Sequence, residues 1–467
     1  MPENAIKSTT TDFLDELRWR GLLKDCTDEP GLSQHLGEPS TSPRLAYAGF
    51  DPTADSLTIG NLVPIMMLVH FARAGHRPVV LMGGGTGLIG DPSGKSAERQ
   101  LMTDDRVAAH VNAQRPIFEN VFEGAGLTPP RIVNNADWLT KMSAIELLRD
   151  VGKHFSVNQM MAKESVRERL NNREQGISYT EFSYMILQAY DFLHLFEHES
   201  VTIQMGGSDQ YGNITAGADL IRRTVERRAE DRFEAEHGRS LDEAAMTDGV
   251  SSAAYSERWF GLTAPLVAKA DGAKFGKTEE GAIWLSAPKT TAYAMYQFWL
   301  NTSDADAIKF LKLFTLLSRG EIEAIDRKHE AEPHKREAQK VLAMEATSLI
   351  HGKSEAEAAE RAGRALFSGE VSQRSLDLRE QVFAGVASSE HDRSQLAGDG
   401  VSLNDVLSET SLAKSKREAR AILANGSVSV NGVKATGEGR LTETDLLHGK
   451  LIAIRRGKKA WHLTRWA

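Results

Sequence analysis

The sequence predicts an α/β protein built from a parallel-sheet domain, an all-helical domain and a small α+β domain. Three observations carry this. Residues 44–90 read as strand, helix, strand and glycine turn; residues 293–367 are apolar at helical spacing throughout; and residues 403–467 alternate like short strands around one basic helix. At 467 residues the chain suits two or three cores rather than one, and its 41% hydrophobic and 26% charged composition is that of a folded globular protein. Cys26 is the single cysteine, which excludes an intramolecular disulfide and any Cys-built zinc or iron–sulfur site. Residues 1–30 hold no apolar signal-type core, and the longest apolar run, Leu62 to Phe71, contains Pro64 and His70. The expectation is a cytoplasmic protein without a membrane span.

Charge is unevenly distributed. The net charge is −8, yet residues 401–467 hold twelve Lys/Arg against six Asp/Glu, leaving −14 for residues 1–400. A basic tail on an acidic body suggests a polyanion bound by the tail, although a solvated lysine-rich surface has the same composition.

The first unit of the α/β domain is the run Arg44–Phe50, a helix over Leu57–Gly75, and a buried-type strand Pro78–Met82 that ends in Gly83-Gly84-Gly85. Such units build parallel sheets whose ligands lie at the strands' carboxyl ends. Strands at Arg131–Val133 and Val201–Met205 alternate with helices at Ser143–Arg149 and Glu181–Phe196. Gly85-Thr-Gly-Leu-Ile-Gly90 is formally a G-x-G-x-x-G after a strand and allows a dinucleotide oxidoreductase reading. Against it, Pro92 and Gly94 follow at once where the motif needs a helix, and no ribose-binding acid ends a second strand about 20 residues on. What remains is a basic loop with Lys95 and Arg99 beside a place where backbone can approach phosphate. Residues 222–258 read as a partly helical, solvated excursion, and residues 385–402 have linker composition.

Tyr47-Ala-Gly-Phe-Asp51-Pro-Thr53-Ala-Asp-Ser-Leu-Thr58-Ile-Gly60-Asn61 is a strand that turns through Asp-Pro into a helix start. A glycine in that first turn lets a flat base lie close to backbone, and the helix N-terminus favours phosphate. Lys269-Ala-Asp-Gly-Ala-Lys274-Phe-Gly-Lys277-Thr278 places two lysines three apart in a glycine-bracketed loop, able to meet neighbouring phosphates from one side. In Tyr184-Met-Ile-Leu-Gln188-Ala-Tyr-Asp191 the polar residues fall at i, i+4 and i+7, one face of an otherwise apolar helix. A carboxylate buried there needs a ligand or a structural network as partner. Gln204-Met-Gly-Gly207-Ser-Asp209-Gln210 follows a strand, with Asp209 able to accept from ribose hydroxyls.

In this order the motifs resemble the class I aminoacyl-tRNA synthetases, in detail the bacterial tyrosyl-tRNA synthetases, over most of the chain from about residue 40. The resemblance implies a Rossmann-like catalytic domain (1–288), a helical anticodon-side domain (289–384), a linker (385–402) and a ribosomal-protein-type RNA-binding domain (403–467). It implies an ATP-dependent ligase that makes tyrosyl-adenylate and charges tRNA(Tyr), with ATP and Mg²⁺ as substrate, no prosthetic group, no protein-held metal, and a homodimeric state. By the same resemblance Tyr47 and Asp191 hold the tyrosine hydroxyl, Asp91, Tyr184 and Gln188 hold its ammonium, and Gln210 orients its carboxylate side. Asp51, Gly60, Asn61, Gly207, Asp209 and Lys277 bind ATP. Thr53, Thr58, Lys95, Arg99, Lys274, Lys277 and Thr278 act on the phosphates.

Three departures stand out: Thr58 and Asn61 occupy positions where the family usually has His, Tyr211 stands where it usually has Trp, and the 222–258 excursion is long. Tryptophan specificity and a non-catalytic RNA-binding role are the nearest rivals. In the tail, Lys414, Lys416, Arg417 and Arg420 are read on one face of a helix within Ser411–Ala424. Arg455, Arg456, Lys458 and Lys459 form a basic turn between strands, and Asn431-Gly432 signals a hairpin. Restoring the imidazole by Thr58→His is expected to raise the single-turnover rate of adenylate formation. An unchanged rate would mean that other groups already fill that role.

Overall fold

Short runs rich in Val, Leu, Ile and aromatic residues form the central sheet, because such side chains fit a pleated surface buried on both faces. The computed structural model describes residues 12–38, 42–91, 101–163, 166–167, 170, 177–238, 258–272, 275–278, 281–368, 388–435, 439–447, 449–457 and 460–467. Its packing divides the chain into two units: residues up to Ser286 with Ser303–Ala338, and Ala287–Thr302 with Gln339–Ala467.

In the first unit, strands β1 (Asp25–Cys26), β2 (Leu45–Phe50), β3 (Arg77–Met82), β4 (Arg131–Asn134), β5 (Val201–Gly207) and β6 (Phe260–Ala264) form one sheet in the order β1-β6-β5-β2-β3-β4. All neighbours are parallel except the short edge pair β1–β6. The chain runs β2, β3, β4 outward to one side, then returns as β5 and β6 on the other side of β2. This reversal makes the carboxyl ends of β2 and β5 the topological switch point, where a crevice opens.

Helices α1 (Asp12–Arg20), α2 (Leu62–Arg73), α3 (Asp104–Gly124), α4 (Ala136–Leu139), α5 (Tyr179–Glu199) and α6 (Tyr211–His237) connect or flank the strands. Helix α2 is buried along Leu62–Val63 and Ile65–Phe71, nearly all round, as its largely apolar sequence requires. Helix α5 starts at Ser178, whose hydroxyl accepts from Glu181 N–H, and ends at Ser200 in the left-handed region (φ 56°). The Arg- and Glu-rich stretch after residue 222 continues α6 to His237, laced by Arg222–Glu226 and Arg227–Asp231 pairs four residues apart. Residues 239–257 of the expected excursion lie outside the described residues.

Two of the expected boundaries can be set beside this packing. Helices Asp304–Phe314 and Arg319–Ala331, expected inside a separate helical domain at 289–384, belong to the first unit, whereas Ala292–Leu300 and Lys353–Ser368 belong to the second. A single buried side chain gives the physical reason for the first of these. The Arg20 guanidinium donates to the carbonyls of Lys312 (2.8 Å), Thr315 (2.8 Å) and Leu317 (2.6 Å) and to Glu16 Oε1 (2.5 Å). It thus satisfies the unpaired carbonyls at and after the end of helix Asp304–Phe314.

The second boundary is the expected linker 385–402. Ser388–His391 is a strand, β7, of a five-stranded sheet in the second unit with β8 (Val428–Val430), β9 (Val433–Lys434), β10 (Leu451–Arg456) and β11 (Ala460–Trp466), in the order β9-β8-β10-β11-β7. Polar composition concealed a strand held by side-chain bonds. Ser389 Oγ lies 3.0 Å from His462 Nε2 and 2.7 Å from His391 Nε2, and the His391 ring stacks on Trp466. One face of this sheet packs Ile452, Ile454 and Trp466 against Leu403, Leu407, Ile422 and Leu423. The β8–β9 hairpin turns through Asn431 (φ 49°) and Gly432 (φ 88°), both left-handed as a two-residue turn of this kind demands.

Replacing Arg20 by Ala strands several buried carbonyls, and a loss of about 2–4 kcal/mol is expected. Thermal and urea unfolding of Arg20→Ala and Arg20→Lys measures it. The lysine variant should recover little, because one ammonium cannot span three carbonyls.

Candidate active site

A cleft of about 670 Å³ opens at the carboxyl ends of β2 and β5. It is lined by Tyr47, Asp51, Thr53, Thr58, Gly60, Asn61, Asp91, Tyr184, Gln188, Asp191, Gly207, Asp209 and Gln210, so these sequence-selected residues, scattered over some 160 positions, share one wall system. Lys95, Arg99 and Lys274 lie outside the described residues, and Lys277 and Thr278 are described only as strand backbone.

At the closed end, Asp191 is 2% exposed on α5. Trp138 Nε1 donates to its Oδ1 (2.8 Å) and Asn135 Nδ2 to its Oδ2 (2.9 Å). Burial nevertheless dominates, and the Asp191 carboxyl is pushed up to about 7, with Asp51 adding to the rise. The Tyr47 hydroxyl, on a residue 1% exposed, is buried with no hydrogen-bond partner. Gln204 Oε1, on the residue opposite Tyr47 in the β2–β5 register, is also buried without a partner. Both residues line the cleft, and a buried polar atom left without a partner is costly.

A second network crosses the cleft. Tyr184 Oη donates to Asp51 Oδ2 (2.9 Å), Thr86 Oγ1 donates to Asp51 Oδ1 (2.8 Å), and Asn135 Nδ2 donates to Thr86 Oγ1 (2.9 Å). Asp51 is therefore tied to the phenol of Tyr184, whose pKa is raised by burial and by the carboxylates of Asp51 and Asp91. At the other wall Gln210 Nε2 donates to Asp91 Oδ2 (2.7 Å), and Asn213 Nδ2 donates to Gln188 Oε1 (3.0 Å) and Gln210 Oε1 (3.3 Å). Asp191 with Tyr47 and Asp91 with Gln188 and Gln210 thus mark two polar stations.

Towards the mouth, a 3-10 turn (Ile59–Asn61) precedes α2. Thr58 N–H (3.0 Å) and Thr58 Oγ1 (2.9 Å) both donate to Asn61 Oδ1. The two residues that stand where His was expected are therefore bonded to each other, and the carbonyl side of the Asn61 amide is fully engaged. The Lys-rich segment docks directly on this turn. Ile59 N–H donates to Ile283 O, Leu285 N–H to Leu57 O and Ile283 N–H to Gly276 O. Gly276 has φ 80°, and a Cβ there would fall 2.3 Å from Ile59 Cγ2, so both conformation and space require glycine. From the other side α3 steadies the Asp-Pro turn, with Gln114 Nε2 donating to Ala54 O and His110 Nδ1 against Pro52 O.

The sequence reading missed Thr86, Asn135, Trp138, Gln204 and Asn213 as members of these networks. The signal for Asn135 was present, since a polar pair Asn134-Asn135 directly follows a parallel strand, where ligand-facing residues concentrate. Among the described residues no group of three or more His, Cys, Asp or Glu side chains is arranged to hold a metal ion. No helix among them is long and apolar enough to cross a membrane.

In the second unit Arg417 and Arg420 are exposed on helix α7 (Lys416–Ala424) and Lys414 is exposed just before it, since Ser415 is the N-cap. Lys416 pairs with Asp405 (2.6 Å). Arg456 donates to Glu418 (2.8 Å) and Leu412 O (2.7 Å), and Arg455 lies over the Trp461 ring. These three contribute to the fold as well as to the basic surface. Lys458 and Lys459 lie outside the described residues.

The geometry agrees with comparison against known proteins. The family model described as tRNA synthetases class I (W and Y) matches residues 40–368. The chain belongs to this class I synthetase family. A second model, the tyrosine–tRNA ligase SYY-like C-terminal domain, matches residues 379–464. The chain is 49% identical to a tyrosine–tRNA ligase of Bacillus velezensis, over 97% of this chain and 99% of that protein. It is 48% identical to that of Bacillus caldotenax, over 98% and 100%. The structure is similar to that of a C-terminally truncated Aspergillus nidulans mitochondrial tyrosyl-tRNA synthetase, with TM-score 0.64, 30% identity, and 78% of this chain and 96% of that one covered.

Because the Asp191 carboxyl is raised from 3.8 to about 7, the folded state holds a proton that the unfolded state has lost. Its contribution to stability is full below about pH 4 and falls away as pH rises through about 7. The melting temperature of Asp191→Asn minus that of the unaltered protein should therefore rise between pH 4 and 7 and level off above. A flat difference would place the carboxyl in a more polar setting than its partners suggest.

Proposed function

We propose that the protein is a tyrosine–tRNA ligase, which activates L-tyrosine with ATP to tyrosyl-adenylate and pyrophosphate and then transfers tyrosyl to the terminal adenosine of tRNA(Tyr). The single observation that carries the amino-acid choice is the closed end of the cleft. There a buried carboxylate, Asp191, has both oxygens oriented by fixed N–H donors, and the buried Tyr47 hydroxyl has no partner. A phenol hydroxyl can donate to the first and accept from the second, whereas an indole offers a donor only and a phenyl ring neither. A site built to bond a hydroxyl strongly rejects the analogue that lacks it, because its own groups are then left unpaired.

Asp91 and Gln188, with Tyr184, form the acceptor-rich station for the ammonium group, and Gln210, bonded to Asp91, faces the carboxylate side. Gly60, Asn61 and Asp51 on one side and Gly207 and Asp209 on the other form the ATP subsite. The tyrosine carboxylate attacks the α-phosphate in line. The nucleophile is already an anion, so no side chain has to remove a proton, and catalysis comes from positioning and from charge placed on the departing pyrophosphate. Thr53 offers a hydroxyl, and Thr58 offers one only if its hydroxyl turns away from Asn61 Oδ1; Lys95, Arg99, Lys274, Lys277 and Thr278 are the further candidates from the resemblance. Mg²⁺ enters with ATP as part of the substrate.

Exposed Lys414, Arg417 and Arg420 supply phosphate contacts that position RNA without reading bases. A homodimer is supported by the exposed apolar side chains Ile145, Leu148, Val157, Met161 and Tyr179, the last 71% exposed, on successive segments of the first unit. A cytoplasmic location follows from the reaction's partners.

Tyrosine-dependent ATP–pyrophosphate exchange without tRNA, run beside phenylalanine and tryptophan, tests this. Exchange with tyrosine alone is expected. Asp191→Ala should lower kcat/KM for tyrosine by about a hundredfold or more while leaving KM for ATP nearly unchanged. Tyrosine dependence retained in a folded Asp191→Ala protein would refute the pocket assignment.

A further inference from the structure

Trp138 supplies one of the two donors to Asp191 but is poorly held by its own element. It sits on α4, four residues long, and its side chain is only half-buried. Its indole N–H points to Asp191 Oδ1 at 2.8 Å. The face of the same indole is covered by the imidazole of His194, with ring centroids 4.3 Å apart and planes 17° from parallel. Asp191 and His194 are three residues apart on α5, so one helix face presents a hydrogen-bond acceptor to the edge of the ring and a stacking plane to its face. His198, one turn further on, lies against the other part of His194 with centroids 4.4 Å apart.

A second observation shows that His194 is not placed by bonds of its own. Its Nδ1 is buried with no hydrogen-bond partner. An imidazole that leaves a ring nitrogen unsatisfied in this way is positioned by its faces, and the face it uses is that of Trp138.

We propose that His194 is a positioning residue for phenol recognition: its ring, stacked on Trp138, holds the indole at the angle from which its N–H reaches Asp191. The stack thereby fixes which way the Asp191 carboxylate faces the cleft, and with it the preference for a hydroxylated ring over a bare one. The inference rests on the reading of Asp191 as the acceptor for the tyrosine hydroxyl. His194 itself does not line the cleft, so its effect on the ligand passes through Trp138 and Asp191.

The test is tyrosine-dependent pyrophosphate exchange by the full chain carrying His194→Ala, His194→Phe, Trp138→Phe and the His194→Ala/Trp138→Phe pair. KM is read because it does not depend on the fraction of protein that is folded. His194→Ala is expected to raise KM for tyrosine roughly three- to tenfold, the scale of an aromatic stack. The preference for tyrosine over phenylalanine should fall by a similar factor, with KM for ATP within about twofold. His194→Phe, which keeps a flat ring, should restore most of the loss. His194→Ala should add nothing once Trp138→Phe has removed the indole N–H. The proposal is overturned if His194→Ala leaves KM for tyrosine within about twofold, if His194→Phe is as impaired as His194→Ala, or if the paired changes are additive. Asp191→Ala in the same assay separates the two levels. Loss of tyrosine dependence there beside an inert His194→Ala rejects only the role of His194, whereas retained dependence rejects the pocket reading itself.

Discussion

A carboxylate taken out of water must be met by donors, and the first unit is arranged around doing this for Asp191. The helix that carries Asp191 runs behind β2 and β5, and the donors Asn135 and Trp138 arrive from the turn after β4, on the far side of β3. That turn is in place because the sheet is parallel there and its order puts β4 beside β3. Asn135 also accepts from Gly85 N–H (2.7 Å) and donates to Thr86, which ties the glycine turn after β3 to the same point. One buried carboxyl group thus couples α5, β4 and the β3 turn, and through Thr86 it reaches Asp51 at the end of β2. Losing any of these bonds would leave a charged or polar group unpaired in a low-dielectric interior, which costs more than the bond contributes when made.

Side-chain bonds concentrate at the closed end of the cleft, and backbone bonds at its mouth. The closed end combines side-chain bonds from four elements with two buried polar atoms that have no protein partner, Tyr47 Oη and Gln204 Oε1. At the mouth the first-signature turn and the Lys-rich segment are joined mainly through backbone bonds between residues 57–59 and 283–285 and through the contact of Gly276 with Ile59. Recognition of a hydroxyl needs fixed donors and acceptors at fixed angles. Stabilising a departing pyrophosphate needs charges brought up to it.

Thr58 and Asn61 show how a departure from a family pattern can be internally consistent. Together they bond to each other, which fixes the side on which the Asn61 amide presents its donors. The second unit shows a related economy, with Arg456 and Lys416 serving the fold through Glu418 and Asp405 while Arg417 and Arg420 stay exposed.

Periodicity and local motifs made the parallel strands, the buried α2, the polar face of α5 and the Asn-Gly hairpin legible, because each depends on neighbours a few residues away. The motif residues that line the cleft were legible for the same reason, with Tyr184, Gln188 and Asp191 set on one face by helical geometry alone. The roles of Asn135, Trp138 and Gln204 were not, because what makes them matter is a partner 50 or more residues away or a vacancy that exists only once the walls have closed. Two long-range contacts were hidden for a like reason: Arg20 reaches carbonyls some 290 residues on, and Ser389 bonds His462. Sequence by itself determined which chemistry the chain carries, since that is written in residue types at short spacing. Only the tertiary structure decided which of those groups are paired and which are left facing the cleft, because burial and hydrogen-bond satisfaction are properties of the whole packed unit.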